Sequence, residues 1–276
     1  MRKAEGLKWL LLLVFAASLY LYIRREMTLT PIEFYTPRRS SGEVEKNGIP
    51  FILHEFWHSR RMPYHMSEVV KRHIEMNPEF DVYIYSEAEA VSFLKEHFER
   101  DVLDAYYSFK PSAFRSDLFR YCVLYVKGGI YVDTKIDFSV QLKDLIYDSN
   151  PLLVGTVDKW CNGKGVANGF MIAPPKSELM ANLIEEIVNA SEARLYNMNG
   201  LDVTGPCMIG RIIDDMGKSN LREKAKCLCS EEGIDFVITC DGKRVARSYS
   251  QYRDEQKAMQ KEPSYVELYK KHDIYW

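Results

Sequence analysis

The 276-residue chain has little net charge. Its 37 Lys and Arg nearly balance 39 Asp and Glu, for a formal net charge of -2. Without a basic field, nucleic acid is not an expected partner. Cysteine is sparse: Cys122, Cys161, Cys207, Cys227, Cys229 and Cys240. None forms a CxxC pair or a Cys/His ligand spacing, which argues against a structural zinc. There is no Gly-x-Ser-x-Gly elbow, no Ser/His/Asp order and no locatable pair of glycosidase carboxylates, so hydrolase readings are weak. No internal repeat or low-complexity tract is visible.

Long apolar runs are rare too, and the exception is N-terminal. WLLLLVFAASLYLYI precedes Arg24-Arg25, and residues 7–23 contain one charge, Lys8. These 17 residues are at the short end of a bilayer span, a length that suits thinner early secretory membranes. Trp9, Tyr20 and Tyr22 lie near its ends, where amphipathic aromatics settle. The rival reading is a cleaved signal peptide with Ala16-Ala17-Ser18 as its small-residue site. The apolar run continues past that site, which favours an uncleaved signal-anchor. The resulting organisation is a cytosolic tail (1–6), a transmembrane signal-anchor (7–23), a stem (24–48) and a folded catalytic domain (49–276). Type II topology then places the domain in the Golgi or endoplasmic reticulum lumen. A lumenal location permits disulfides, and Cys227-Leu-Cys229 with Cys240 is the expected place for one.

From residue 49 onward strand-like and helical patterns alternate. Short apolar runs at 51–57, 81–85, 130–132, 151–157 and 169–173 read as strands. Helices are expected over 67–76, 101–108, 112–127, 177–190 and 207–216. Ser86 with Glu89 forms a capping box. Residues 236–240 and 243–247, joined by Asp241-Gly242, read as a hairpin. This alternation predicts an α/β fold with a mostly parallel sheet, in which ligands collect at the carboxyl ends of strands.

The chemistry concentrates in SAFRSDLFRYCVLYVKGG and the adjoining GGIYVDTKID. The helix is apolar on most sides, yet carries Asp117 and Arg120 one turn apart. Buried charges are costly unless paired or bound to something. Gly128-Gly129 permits a tight turn, and a short strand then delivers Asp133.

The stretch AFRSDLFRYCVLYVKGGIYVDTK resembles the central motif of glycosyltransferases with a DXD sugar-binding region. That group includes the initiating mannosyltransferases of glycosyltransferase family 32 and extends to the clostridial glucosylating toxins. IPFILHEFW, NPEFDVYIYS, NGFMIAPPKSELM and VTGPCMI resemble further family segments, so the similarity covers residues 49–210 well. The resemblance implies a GT-A type, Rossmann-like nucleotide-sugar-binding fold and a retaining hexosyl transfer, with mannose as the first choice. The donor is GDP-mannose or a UDP-hexose, and the acceptor a glycan, protein-linked or lipid-linked. It further implies that Trp57 stacks on the nucleobase, Asp117 holds ribose or sugar hydroxyls, and Arg120 holds sugar or phosphate oxygens. Tyr131 sits beside the donor, Asp133 faces ribose and diphosphate, and Asn168 reaches the donor or leaving group. His272 and Trp276 are candidates for the phosphate end, with an aromatic surface anchor as the equal alternative. Thr204-Gly205-Pro206 is expected to shape the acceptor side. His54 reads as a satisfied core histidine.

Lys135 departs from the family pattern, which has a second acid there. Asp133, Lys135 and Arg120 form the candidate catalytic group, and three readings follow. The ammonium of Lys135 replaces the usual divalent cation, Mn2+ or Mg2+, beside the leaving diphosphate. Alternatively Asp133 keeps the metal with Asp137, four residues on and on the same face if the strand continues. Or the site has lost turnover and is a nucleotide-sugar or glycan binder.

Overall fold

A computed structural model describes residues 2–26, 29–31, 45–146, 152–153, 156–157, 161–221, 229–230, 236–238, 244–259 and 262–276. The elements that position the site are β1 (Ile52–Phe56), α2 (Tyr64–Met76), β2 (Asp81–Tyr85), α3 (Glu87–His97), α4 (Arg100–Ser108), α5 (Ser112–Lys127), β3 (Gly129–Val132) and β4 (Ile136–Phe138). They continue through β5 (Leu152–Leu153), β6 (Phe170–Ala173), α6 (Glu178–Glu192), α7 (Pro206–Asp215), β7 (Phe236–Ile238), β8 (Arg244–Ser248), α8 (Tyr252–Met259) and α9 (Tyr265–Lys270). An N-terminal helix α1 (Arg2–Glu26) precedes them all.

The central sheet has strand order β2-β1-β3-β6-β5. β2, β1 and β3 are parallel, whereas β6 runs antiparallel to both β3 and β5. The sheet is therefore mixed, a correction to the mostly parallel expectation. Among the described residues no α-helix lies between β3 and β6, and an antiparallel partner needs no helical crossover. Residues 151–157 do not make one strand either: Leu152–Leu153 joins this sheet, while Thr156–Val157 pairs with Gly165–Val166. A second, antiparallel sheet is ordered Cys229–Ser230, β7, β8, β4, and contains the expected hairpin pairing of β7 with β8.

Strand alternation divides the core. Tyr131 and Met171 face the larger cluster built by α3 to α7. Ile130, Val132, Phe170 and Ile172 face a second cluster with Phe51, Phe80, Ile136 and Phe138. The Ser86–Glu89 capping box forms as expected. His54 is fully buried, bonded at Nδ1 to the Tyr85 hydroxyl (3.2 Å) and at Nε2 to the Gly128 carbonyl (2.9 Å).

The disulfide joins Cys161 to Cys207 and so ties the 161–166 segment to the start of α7. Only main-chain structure is described for Cys229, and Cys227 and Cys240 lie outside the described residues. In the 24–48 segment, Leu29–Pro31 pairs antiparallel with Arg61–Pro63, and Glu45–Lys46 with Ile49–Pro50. Pairing with the folded part thus starts before residue 49. Among the described residues no helix is long and apolar enough to cross a membrane.

Candidate active site

The carboxyl ends of β1 and β3 lie side by side, with Leu53 opposite Ile130 and His54 opposite Tyr131. A cavity of about 250 Å3 opens there. Phe56, Trp57 and His58 from the end of β1 line it, with Ser112, Ala113 and Ser116 from α5. Tyr131, Asp133, Thr134 and Lys135 line it from β3 and the following turn, and Tyr252 from α8. Trp57 is held by its backbone N–H donating to Tyr85 O (2.9 Å) and its indole N–H to Arg61 O (2.9 Å).

Arg120 is the hub. Its side chain is 6 % exposed and forms ion pairs with Asp117 (3.1 Å) and Asp133 (3.4 Å). Nη1 donates to Asn168 O (2.6 Å) and Nη2 to Ser116 Oγ (3.1 Å). The guanidinium also lies 4.7 Å from the centre of the Tyr131 ring. One planar fork thus fastens α5 to the turn after β3 and to the residue two before β6. Lys135 flanks the other side of Asp133, with Nζ 3.8 Å from Oδ2 and 5.7 Å from the Tyr252 ring.

Asp117 is braced by Asn168 Nδ2 (2.9 Å) on one oxygen and by Thr204 Oγ1 (2.7 Å) on the other. Burial raises its pKa from 3.8 to about 6, against the pull of Arg120. Burial lowers the His54 pKa from 6.5 to about 4. The linkage signs are opposite. The raised Asp117 pKa contributes stability that is full below 3.8 and lost as pH rises through about 6. The depressed His54 pKa contributes stability that is full above 6.5 and lost as pH falls through about 4. The two slopes offset each other over the acid range. Asp117→Asn removes one of them, so the variant is expected to lose roughly 2 kcal/mol more than the parent on acidification through that window. Denaturant midpoints measured across the range check this, and parallel profiles for the two proteins would refute it.

Asp137 is not where a continuous strand would put it. The chain turns after β3, with Ile136 N–H donating to Asp133 O (2.9 Å). β4 then enters the second sheet, where Asp137 pairs with Arg72 at 2.9 Å. The one-face geometry expected for Asp133, Lys135 and Asp137 is therefore corrected. Asn168 carries its side chain to Asp117 and Tyr121 and its carbonyl to Arg120, acting as a brace within the site. His272 and Trp276 do not line the cavity. The His272 ring lies 4.5 Å from that of Tyr196, and Trp276 is 71 % exposed with its backbone tied to Ser108. Tyr252 and Ser116 were not picked out from the sequence. Ser116 was legible as the residue one helical turn before Arg120, whereas nothing in the sequence around Tyr252 announces its arrival from a distant segment.

Residues 63–152 match the family model described as a glycosyltransferase sugar-binding region containing a DXD motif. The chain resembles that family over this segment, which runs from α2 through β4 and carries Asp117, Arg120 and Asp133. Among similar proteins, inositol phosphoceramide mannosyltransferase 1 of Schizosaccharomyces pombe is 23% identical over 64% of this chain and 57% of its own length. Mannosyl phosphorylinositol ceramide synthase SUR1 of Saccharomyces cerevisiae is 28% identical over 50% of this chain and 35% of its own. The chain thus spans little more than half the length of the first of these glycosyltransferases, and less of the second. The solved PaToxG glycosyltransferase matches with a TM-score of 0.50 at 11% identity, over 82% of this chain and 85% of that one. At that identity the likeness establishes a glycosyltransferase α/β fold.

Proposed function

We propose that this protein transfers a hexose, mannose in the first instance, from a nucleotide-diphosphate sugar to a glycan, protein-linked or lipid-linked acceptor with retention of configuration. The observation that carries the reading is the buried Arg120 hub between Asp117 and Asp133, which backs Ser116, Tyr131 and Asp133 in the wall of a cavity that Trp57 and Lys135 also line. The names of the relatives, mannosyltransferases of inositol phosphoceramide, support mannose and a lipid-linked acceptor.

In this reading Trp57 stacks on the nucleobase, and Tyr131 and Asp133 sit beside ribose and diphosphate. Asp117, held on both oxygens, keeps acceptor capacity for donor hydroxyls. Arg120 and Lys135 present positive charge where the leaving diphosphate gains negative charge. Stabilisation that grows toward the transition state is what accelerates such a step.

A divalent cation fits this donor set poorly. Among the described residues Asp133 is the single carboxylate lining the cavity, and Arg120 and Lys135 flank it. Asp117 is committed to Arg120 and Asp137 to Arg72.

The test is turnover by the full chain with GDP-mannose and common UDP-hexoses, each with Mn2+ and with EDTA. Activity is expected to persist in EDTA and to fall at least about a hundredfold in Lys135→Ala. Abolition by EDTA would show that a metal is required and that the lysine does not replace it. Donor binding without turnover of any donor points to a disabled sugar-binding protein. The Lys135–Asp133 pair favours that second reading, because it neutralises the carboxylate a metal needs.

The proposal extends to location. Residues 7–23 anchor the chain in a Golgi or endoplasmic reticulum membrane, with the domain at 49–276 in the lumen. Leu10 to Phe15 all expose their apolar side chains along α1, a surface that favours lipid over water. The Cys161–Cys207 disulfide favours an oxidising compartment.

A further inference from the structure

Glu255 is a buried carboxylate that the proposed transfer does not use. It lies in the first turn of α8, 5 % exposed. Its Oε1 accepts the backbone N–H of His65 (3.0 Å) and its Oε2 the hydroxyl of Tyr249 (2.7 Å). His65 is the second residue of α2. That helix has Pro63 at its N-cap and, among the described residues, no side-chain cap and no acid in its first turn. Helix N-termini carry orphan N–H groups and favour negative charge. Glu255 meets that need from 190 residues away and so fastens α8 to α2. The other oxygen leads to the cavity. Tyr249 N–H donates to Lys135 O (3.1 Å), and Tyr252 N–H donates to Tyr249 O (3.0 Å). The Tyr249 and Tyr252 rings meet edge-on at 5.7 Å, and the Tyr252 ring lies 5.7 Å from Lys135 Nζ. Tyr252 and Lys135 both line the cavity.

We infer that Glu255 is a positioning residue: through Tyr249 it sets Lys135 and Tyr252 in the cavity wall where the diphosphate is bound. The inference rests on the nucleotide-sugar reading above and adds a residue that acts on the site without touching the donor. A lysine ammonium is a point charge on a flexible stem. It serves a fixed anion only where its backbone and the wall beside it are held. Tyr249 holds the Lys135 main chain, and the Tyr252 ring bounds the ammonium on one side, with a cation–π attraction to it. Glu255 is the common anchor of both, because it fixes the Tyr249 hydroxyl and the first turn of the helix that Tyr252 begins. Glutamine at this position keeps the size of the side chain but puts an amide donor where a second acceptor is needed. One of the two bonds is then lost.

The test is a double-mutant cycle on binding. GDP and UDP are titrated into the full chain as parent, Glu255→Gln, Lys135→Ala and the double variant, and sugar turnover is measured on the same preparations. Glu255→Gln is expected to weaken the better-bound nucleotide about tenfold in the parent and by less than about twofold in the Lys135→Ala background. A residue that acts through Lys135 gives that non-additivity, whereas a general loosening of the fold weakens both backgrounds alike. Tyr249→Phe removes only the hydroxyl and leaves Glu255 bonded to His65. It is expected to show the same dependence on Lys135, and it carries the test if Glu255→Gln does not fold. Equal losses in the two backgrounds, or no loss in either, would overturn the assignment. If the dependence on Lys135 is seen but no donor turns over, the positioning role stands and hexosyl transfer falls. If the folded parent binds neither nucleotide, the nucleotide-sugar reading falls and takes this inference with it.

Discussion

Arg120→Met is expected to reduce the proposed turnover by at least about a thousandfold and to cost the fold about 3–5 kcal/mol. Methionine keeps most of the buried volume and the flexible stem, so the loss is not one of packing. What disappears is the charge between Asp117 and Asp133 and the fork that reaches Asn168 O and Ser116. The two carboxylates would then face each other in a poorly solvated site with no cation between them. Removing one partner of a buried pair costs far more than the intact pair contributes, because a charge is left uncompensated. Arg120→Lys separates charge from geometry. It restores a cation without the planar fork, so its stability should lie between those of the parent and the methionine variant while its turnover stays low. Chemical denaturation and donor turnover on the same preparations provide the check. A methionine variant with turnover within tenfold of the parent would remove Arg120 from the proposed mechanism.

Gly129→Ala is expected to destabilise the chain by about 4 kcal/mol or to prevent folding. Gly129 has φ +98°, a backbone conformation that costs a residue with a Cβ on the order of 1–3 kcal/mol. A Cβ there would also lie 2.4 Å from Ile52 O, a main-chain atom of the neighbouring parallel strand that cannot swing aside. Relief requires β1 and β3 to part, and the cavity is built on their ends. Gly48→Ala is the control, with φ +75° and nothing within 4 Å of the new atom. It should lose only the backbone term of about 1–2 kcal/mol. Equal stability losses for the two variants would show that the close approach of the strands contributes nothing.

Local order set much of what was legible in advance. The apolar run of α5, its glycine stop and the short strand to Asp133 are neighbours in sequence, so helix, turn and strand could be placed from periodicity and punctuation. The Ser86 capping box was legible for the same reason: its partners are three residues apart and meet within one helical turn. The pairing of Asp117 with Arg120 likewise follows from helical spacing.

What tertiary structure decided involves partners far apart in sequence. The direction of β6 beside β3 depends on how the chain returns, and no local propensity encodes that. Asp137 reads as a neighbour of Asp133 only if the strand continues. The turn at residues 133–136 instead sends it into another sheet and to Arg72. Cys161 finds Cys207 across 46 residues because α7 packs on the segment beginning there. Thr204 reaches Asp117, and Tyr252 reaches the cavity wall, through the same long-range packing. The sequence by itself determined which residue types could bind a nucleotide sugar and which helix and strand would carry them. Only the folded chain decided which charges neutralise one another around Asp133, because those distances depend on strand register and helix packing rather than on spacing along the backbone.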